Sequence, residues 1–175
     1  DNLDGFVYVA GGVSMKNRSD TTDRLMRYNP ASKAWDEMAS MNTPRHSFSL
    51  VAFHNQLYAI GGQSTLYNST SDSIETSTLN STEVYNPSTD SWTNQSNLSF
   101  QIAAYASTVH NDEILISGGI TGSGFGMVTG DVLGYNPIDG TMTTHTSLAT
   151  DMYDHTITST GDSIVLASGD SSFYR

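Results

Sequence analysis

The chain has 175 residues, a net charge of −11 at pH 7 and no Cys. From His46 to Tyr174 it contains twelve acidic residues and no Lys or Arg, so it lacks the basic footprint that nucleic acids and anionic membranes require. No apolar run reaches the roughly eighteen residues of a membrane-spanning helix. Without Cys, the sequence carries no disulfide signal for a compartment.

Four short apolar segments recur along the chain, and each is followed by a glycine pair or a variant of it. A period of about 50 residues is typical of stacked supersecondary units. The segments are apolar on both faces, which predicts strands buried between sheets, and the glycines supply positive φ or a close backbone approach. The segments are residues 7–10, 57–60, 114–117 and 164–167, followed by Gly11-Gly12, Gly61-Gly62, Gly118-Gly119 and Ser168-Gly169 at spacings of 50, 57 and 50 residues.

A tripeptide and a large apolar residue recur in phase with the glycines. The tripeptides are Tyr28-Asn29-Pro30, Tyr85-Asn86-Pro87 and Tyr135-Asn136-Pro137, and seven residues after each Tyr come Trp35, Trp92 and Met142. Asn-Pro ends a strand because Pro cannot donate to a ladder and has a fixed φ. Turn-forming residues follow each Pro, which predicts one hairpin in every repeat. No helical period of useful length occurs, so the chain is expected to be all-β.

The glycine pair, the tripeptide and the aromatic residue after it resemble the kelch repeat, which folds into one four-stranded blade of a β-propeller. The resemblance implies that residues 1–175 form a single, partial kelch-type β-propeller of four-stranded antiparallel blades. We expect three, four, four and two strands in succession, so that the first and last blades are incomplete. The expected blade segments are residues 6–40, 45–97, 102–147 and 153–175.

Strand counting also predicts an open ring. Propellers close with about four to eight blades, so the chain supplies about half of one. Half a ring leaves two apolar blade faces in water, although repeats are stabilised by their neighbours. The chain is therefore predicted to be a fragment of a longer propeller or to be completed by a partner chain.

One face of the ring is the expected binding face. Alternate connections of antiparallel blades lie on opposite faces, so the connections from second to third strand share a face with those between blades. Kelch proteins often hold a partner's peptide or loop on this face with Arg, Tyr and Ser side chains. The charged residue is not repeated, since the equivalents of Arg45 in later repeats are Ile102 and Met152. Packing between blades or hydrogen bonding to carbonyls is an equal alternative for Arg45. The candidate partner-binding residues are Arg45, His46, Tyr67, Phe100, Gln101, Phe125, Tyr153 and His155.

Glycosylation motifs bear on the compartment. A polar surface built from Ser and Thr more than from charge is typical of extracellular chains, and charged residues are only 14%. These features predict a secreted or cell-surface glycoprotein, and chance motifs in a cytoplasmic protein are the alternative. The candidate acceptors are Asn17, Asn68, Asn80, Asn94 and Asn97.

No catalytic constellation or cofactor is expected from this segment. Of the five His residues, only His46 and His155 are predicted to converge, whereas metal sites usually have three or four ligands. The first hypothesis is therefore a binding scaffold for a protein or glycan ligand, or for sibling chains. The alternatives are a propeller enzyme resembling galactose oxidase, with catalytic residues outside this segment, and an intracellular substrate adaptor.

Overall fold

The computed structural model describes residues 1–14, 20–123 and 126–167, which form antiparallel sheets and no helix. Blade 1 contains β1 (Asn2–Leu3), β2 (Phe6–Ala10), β3 (Val13–Ser14), β4 (Asp20–Thr21), β5 (Leu25–Asn29) and β6 (Ala34–Met38). Its sheet has the order β1-β2-β5-β6, and β3 and β4 pair as a separate hairpin. Ser168-Gly169, the fourth glycine motif, lies outside the described residues.

The later blades repeat this plan. Blade 2 contains β7 (Ser49–Phe53), β8 (Gln56–Ile60), β9 (Gln63–Asn68), β10 (Ser73–Thr78), β11 (Thr82–Asn86) and β12 (Ser91–Asn94). Blade 3 contains β14 (Ala106–His110), β15 (Glu113–Ser117), β18 (Asp131–Tyr135) and β19 (Met142–Ser147), beside a small sheet of β13 (Ile102–Ala103), β16 (Ile120–Thr121) and β17 (Met127–Val128). The described part of blade 4 is the hairpin of β20 (Thr156–Thr160) and β21 (Ser163–Ala167).

The expected three-stranded first blade is wrong, because β1 completes it. Asn2 pairs with Val7, and the main chains of Asp1 and Tyr8 exchange two hydrogen bonds of 2.7 and 2.8 Å. The turn between β1 and β2 is Asp4-Gly5, with φ of 52° and 79°. Asp-Gly is a strong signal for a two-residue hairpin, so blade 1 begins before Phe6.

The hairpins predicted after the Tyr-Asn-Pro tripeptides are confirmed, and they share one device. The side-chain oxygens of Asn29, Asn86 and Asn136 each accept a hydrogen bond of 2.9 Å from the main-chain N–H two residues further on. This Asx turn reverses the chain with local contacts alone. All three third-to-fourth-strand turns are therefore built the same way.

The core lies between the blades, where the faces of neighbouring sheets meet. Between blades 1 and 2 it contains Tyr8, Leu25, Leu57, Tyr85 and Trp92, and between blades 2 and 3 it contains Tyr58, Ile60, Ile114, Ile116 and Tyr135. A smaller cluster of Ala106, Leu115 and Ile157 joins blades 3 and 4. Stability is thus distributed over nearest-neighbour interfaces, as expected for a repeat protein.

Candidate partner-binding face

The glycine pairs join each blade to the next. The N–H groups of Gly12, Gly62 and Gly119 donate to the carbonyls of Arg45, Ile102 and Met152 over 2.9, 2.8 and 2.8 Å. Those carbonyls approach the preceding glycines, Gly11, Gly61 and Gly118, so closely that a Cβ would overlap them. The main chain of each inter-blade connection therefore packs directly on the preceding blade.

A second repeated device, which the sequence alone did not reveal, lies within these connections. Ser47, Ala104 and Asp154 have φ of 51°, 55° and 51°, and each precedes a ring, Phe48, Tyr105 or His155. The N–H of Ala104 donates to Ser47 O, and the N–H of Asp154 donates to Ala104 O, both over 2.8 Å. The three connections between blades are thus joined into one chain of main-chain hydrogen bonds.

Arg45 is not on the accessible face, because its side chain is fully buried. Its guanidinium donates to Gly61 O at 2.7 Å, to Ser81 O at 3.1 Å and to Ser81 Oγ at 3.2 Å, and it pairs with Glu83 at 2.6 Å. Glu83 also accepts from the N–H groups of Asn42 and Thr43. In this structure the Arg45 side chain therefore packs and hydrogen-bonds inside the fold, as in the packing alternative, and it presents no exposed surface to a partner.

His46 lies at the base of the β9–β10 hairpin. Its Nε2 is 3.0 Å from Thr65 Oγ1 and its Nδ1 is 3.1 Å from Ser47 Oγ, while its main chain pairs with Gln63. Burial lowers the pKa of His46 below its ordinary value, which favours the neutral ring. The side chain acts as a support for the hairpin more than as an exposed charge.

The β9–β10 hairpin turns the longest connection into an ordered projection. Its strands pair from Gln63–Thr78 to Asn68–Ser73, and it rests on blade 1 through hydrogen bonds from Thr65 N to Thr21 Oγ1 and from Tyr67 N to Asp20 Oδ1. The Tyr67 hydroxyl donates to Asp72, which raises the pKa of Tyr67. Tyr67 therefore lies on this hairpin, and His46 contacts its base.

Phe100 lines a cavity of about 460 Å³ between the blade 2–3 connection and the β16–β17 hairpin. Its neighbours there include Ile102, Met127, Val128 and Leu133. Gln101 contributes its carbonyl to the same region, since it accepts from Gly122 N at 3.1 Å. Phe125 lies outside the described residues.

His155 and Tyr153 are partly buried at the start of blade 4. The Nε2 of His155 is 3.1 Å from Ser117 Oγ, and burial lowers the pKa of the ring. The structure does not bring His155 and His46 into one site, because each hydrogen-bonds within a different blade junction. Among the described residues, no group of three or more His, Asp and Glu side chains is placed to hold a metal.

The inner strands of all four blades line a second cavity, of about 650 Å³. Hydroxyl-bearing residues of these strands are prominent in its wall, with Asp1 and His155 at the two ends of the half-ring. The hydroxyls are Ser49, Ser107, Thr108, Thr156 and Ser159. The wall of this cavity thus combines hydroxyl groups with the Asp1 carboxylate and with aliphatic residues such as Leu50 and Val51.

The glycosylation candidates differ in how free their side chains are. Asn97 is exposed, whereas Asn80 is partly buried and its amide donates to Leu98 O at 3.1 Å. Asn68 accepts from Thr70 N and donates to Glu75, and Asn94 accepts from Asn42 over 3.3 Å. Asn17 lies outside the described residues. A glycan would meet the least competition at Asn97.

Comparison with known proteins identifies the repeat. The model of the Attractin/LZTR1 beta-propeller family matches residues 1–129. Kelch-like protein 36 of Bos taurus is 37% identical over 119 residues, which are 67% of this chain and 18% of that protein. Spermatocyte protein spe-26 of Caenorhabditis elegans is 27% identical over 170 residues, or 95% of this chain and 28% of that protein.

A solved structure agrees with the fold. The structure of YjhT superposes with a TM-score of 0.75 at 15% identity, over 95% of this chain and 57% of that one. The kelch-type β-propeller expected from the sequence is thereby confirmed. The chain spans less than a third of the length of the two relatives described above. None of the described residues form a helix long and apolar enough to cross a membrane.

Proposed function

Since the chain belongs to the Attractin/LZTR1 β-propeller family, we propose that it is a non-enzymatic propeller module that binds a protein partner on one face. We call this the loop-rich face, formed by the connections from second to third strand and by those between blades. Its extended parts are the hairpins β9–β10 and β16–β17. The opposite face carries only short turns within the described part of the chain, such as His54-Asn55 and Asn111-Asp112.

The observation that carries the proposal is the exposure of apolar side chains on these two hairpins. Leu66 and Ile74 are each 57% exposed, and Met127 is 75% exposed. Exposed apolar side chains on projecting loops suit protein contact, and loops on a rigid scaffold carry binding residues more often than the scaffold does. His46 lies at the base of β9–β10 and Tyr67 lies near its tip, while Phe100 lies beside β16–β17. All three belong to the proposed surface.

Photo-crosslinking tests this surface directly. A benzoyl-phenylalanine placed at Ile74 or Met127 in the full chain, in its native cell, is expected to crosslink to the same protein partner. Ser88 provides the matched control, because it is exposed in a hairpin turn on the opposite face. Crosslinks of equal yield from Ser88, or different proteins from Ile74 and Met127, would contradict a loop-rich binding face.

We further propose that additional blades, or a partner chain, cover the outer face of blade 1. Val9 and Trp35 on that face are 51% and 52% exposed, although their equivalents in blade 2 are packed against blade 1. A monodisperse, cooperatively melting monomer of these 175 residues alone would contradict the proposal. Two narrower alternatives remain. A glycan could take the place of the protein partner on the loop-rich face, and a sibling chain could take the place of the additional blades on the outer face of blade 1.

A secreted or cell-surface location stays a prediction, with the cytoplasm as its alternative. The names of the Kelch-like relatives do not indicate secretion. Mass spectrometry of native material is the test, with occupancy expected first at the exposed Asn97. If all the candidate Asn side chains are unmodified, the glycoprotein prediction fails. The intracellular adaptor and the oxidase-like enzyme both require segments outside this chain.

A further inference from the structure

Two junctions between blades can be aligned residue by residue. Arg45 and Ile102 are equivalent, because their carbonyls accept from Gly12 N and Gly62 N. Ser81 and Asp131 are equivalent, because their carbonyls accept from Gly61 N at 3.0 Å and Gly118 N at 2.9 Å. Glu83 and Leu133 are equivalent as well, since they pair with Ala59 and Ile116, which both precede a glycine pair by two residues.

The junction of blades 1 and 2 is filled by the guanidinium of Arg45. That group lies among Gly61 O, Ser81 O, Ser81 Oγ and the Glu83 carboxylate at 2.6 to 3.2 Å. The surroundings therefore combine two main-chain carbonyls with a side-chain oxygen and a carboxylate. Such a fork of acceptors matches the fixed donor geometry of Arg.

The corresponding position in the junction of blades 2 and 3 is the 460 Å³ cavity. Its wall includes Ile102, Gly118, Asp131 and Leu133, which are the equivalents of Arg45, Gly61, Ser81 and Glu83. Ile102 is shorter than Arg and carries no guanidinium, so the junction holds a cavity at the place where the preceding junction holds a buried cation.

The cavity is lined by groups that suit both the aliphatic and the charged part of an arginine side chain. Phe100, Met127 and Val128 supply apolar walls against which the aliphatic part of an Arg side chain packs. Leu133 stands at the position of Glu83, but Asp131 and Asp151 also line the cavity and are exposed, so it still has two carboxylates in its wall. No Lys or Arg occurs between His46 and Tyr174, so no base of this stretch neutralises the two carboxylates.

The described arginines of this chain are already paired elsewhere. Arg24 pairs with Glu37 and Arg27 pairs with Asp36, both at 2.9 Å on the outer strands of blade 1, and Arg45 is buried in its own junction. The occupant is therefore sought outside the described chain.

We propose that this cavity binds an arginine side chain presented by a basic segment of the protein partner. The inference rests on the proposed function, because the cavity opens beside the β16–β17 hairpin of the loop-rich face. It adds the chemistry of the partner: the apolar stem of the arginine lies on Phe100 and Met127, and its guanidinium faces Asp131, Asp151 and the Gly118 carbonyl.

The experiment uses two peptides that differ in one charge. The first is acetyl-Ser-Gly-Arg-Gly-Ser-amide, and the second has citrulline, a neutral analogue of nearly the same shape, in place of Arg. In NMR titrations of the full chain, we expect the Arg peptide to shift the resonances of Phe100, Met127 and Val128 at millimolar concentrations. The citrulline peptide is expected to bind at least about tenfold more weakly, and added salt is expected to weaken only the Arg peptide.

Matched variants locate the effect. The double variant Asp131→Asn/Asp151→Asn is expected to weaken binding of the Arg peptide at least about fivefold, while Asp162→Asn, an equally exposed carboxylate in the β20–β21 turn, leaves it unchanged. A second variant, Ile102→Arg/Leu133→Glu, places the Arg45–Glu83 pair in the cavity and is expected to abolish binding. Equal binding of both peptides, or shifts outside the cavity, would overturn the inference. If a partner still crosslinks at Met127 but does not respond to Asp131→Asn/Asp151→Asn, the arginine site fails while the proposed function stands.

Discussion

Blades 1 and 2 carry the same strand positions in different surroundings. In blade 2, Leu57 and Ala59 have no exposed surface and Trp92 is 8% exposed. Their equivalents in blade 1 are Val7, Val9 and Trp35, which are 36%, 51% and 52% exposed. The residue types are similar, so the difference comes from the neighbour: blade 2 has blade 1 against this face, and no described residue covers it in blade 1. Burial in a repeat protein is a property of position in the stack.

The largest loss of stability is expected when the buried cation of the junction between blades 1 and 2, Arg45, is removed. Arg45→Met leaves the Glu83 carboxylate buried without its cation, and we expect a loss of about 3–5 kcal/mol in the free energy of unfolding. The double variant Arg45→Met/Glu83→Leu makes the junction resemble Ile102 and Leu133 and is expected to recover most of that loss. Arg24→Ala, which removes an exposed ion pair of blade 1, is expected to cost less than about 1 kcal/mol. Urea denaturation of the three variants compares them, and equal losses for Arg45→Met and Arg24→Ala would contradict the assignment.

Alanine substitution of Trp35 and Trp92 tests whether the outer face of blade 1 is exposed to water. Trp92 packs between blades and its Nε1 donates to Ala39 O at 2.8 Å, so Trp92→Ala is expected to cost about 3–5 kcal/mol. Trp35→Ala on the open face is expected to cost about 1 kcal/mol or less by the same thermal and urea measurements. In a longer protein whose next blade covers Trp35, the two losses become similar. That outcome would establish closure of the ring on this side.

The second glycines provide a finer comparison at nearly constant backbone geometry. Gly12 and Gly62 have φ of 105° and 92°, so Ala is strained at both, by about 1–3 kcal/mol. A Cβ at Gly62 would also lie 2.5 Å from Phe48 Cβ and 2.7 Å from His46 O, whereas no described residue comes within 4 Å of one at Gly12. We expect Gly62→Ala to lower the urea midpoint more than Gly12→Ala does, by overpacking worth roughly 1–3 kcal/mol. If Gly12→Ala and Gly62→Ala lower the free energy of unfolding equally, the contacts with Phe48 and His46 do not contribute to the cost at Gly62.

The smallest expected effect is a dependence of stability on pH. Burial lowers the pKa of His46 and His155 in the folded state, so the unfolded chain binds more protons below its own His pKa of about 6.5. Their contribution is complete above that pH and is lost as the pH falls toward the folded pKa values. Urea midpoints at pH 7.5 and 5.5 should therefore differ less in His46→Gln/His155→Gln than in the native chain. An unchanged difference would assign the pH dependence to other groups.

Local chemistry made much of the fold predictable from the sequence. The three glycine pairs of the described residues adopt positive φ, as the sequence predicts. The Asn side chains after each Tyr form Asx turns with the main chain two residues further on. Both features depend only on residues close in sequence. The strand β1 was missed although Asp4-Gly5 is a turn signal, because β1 has only two residues and precedes the first repeated feature. The β9–β10 hairpin was expected only as a long connection, since Leu66 and Ile74 lack a repeated counterpart.

The candidate site was less predictable because its members meet across the chain. Arg45 lies in a connection and resembles an exposed binding residue, but Glu83, 38 residues away, makes its burial possible. His155 is expected on the binding face, and only the structure shows that its ring also contacts Ser117 beside the Gly118-Gly119 pair. The cavity beside Phe100 lies where Ile102 and Leu133 stand in place of Arg45 and Glu83. These equivalences can be recognised only when the two junctions are compared in the structure.

The sequence by itself determined the repeat, the all-β class and the ends of the strands, because glycine conformations, Asn-Pro turns and apolar strand segments depend on neighbouring residues. The tertiary structure alone decided which copies of the repeat are buried, which arginine is structural and where a cavity opens. Those properties depend on what packs against each blade, and packing joins residues whose separation in the chain carries no local signal.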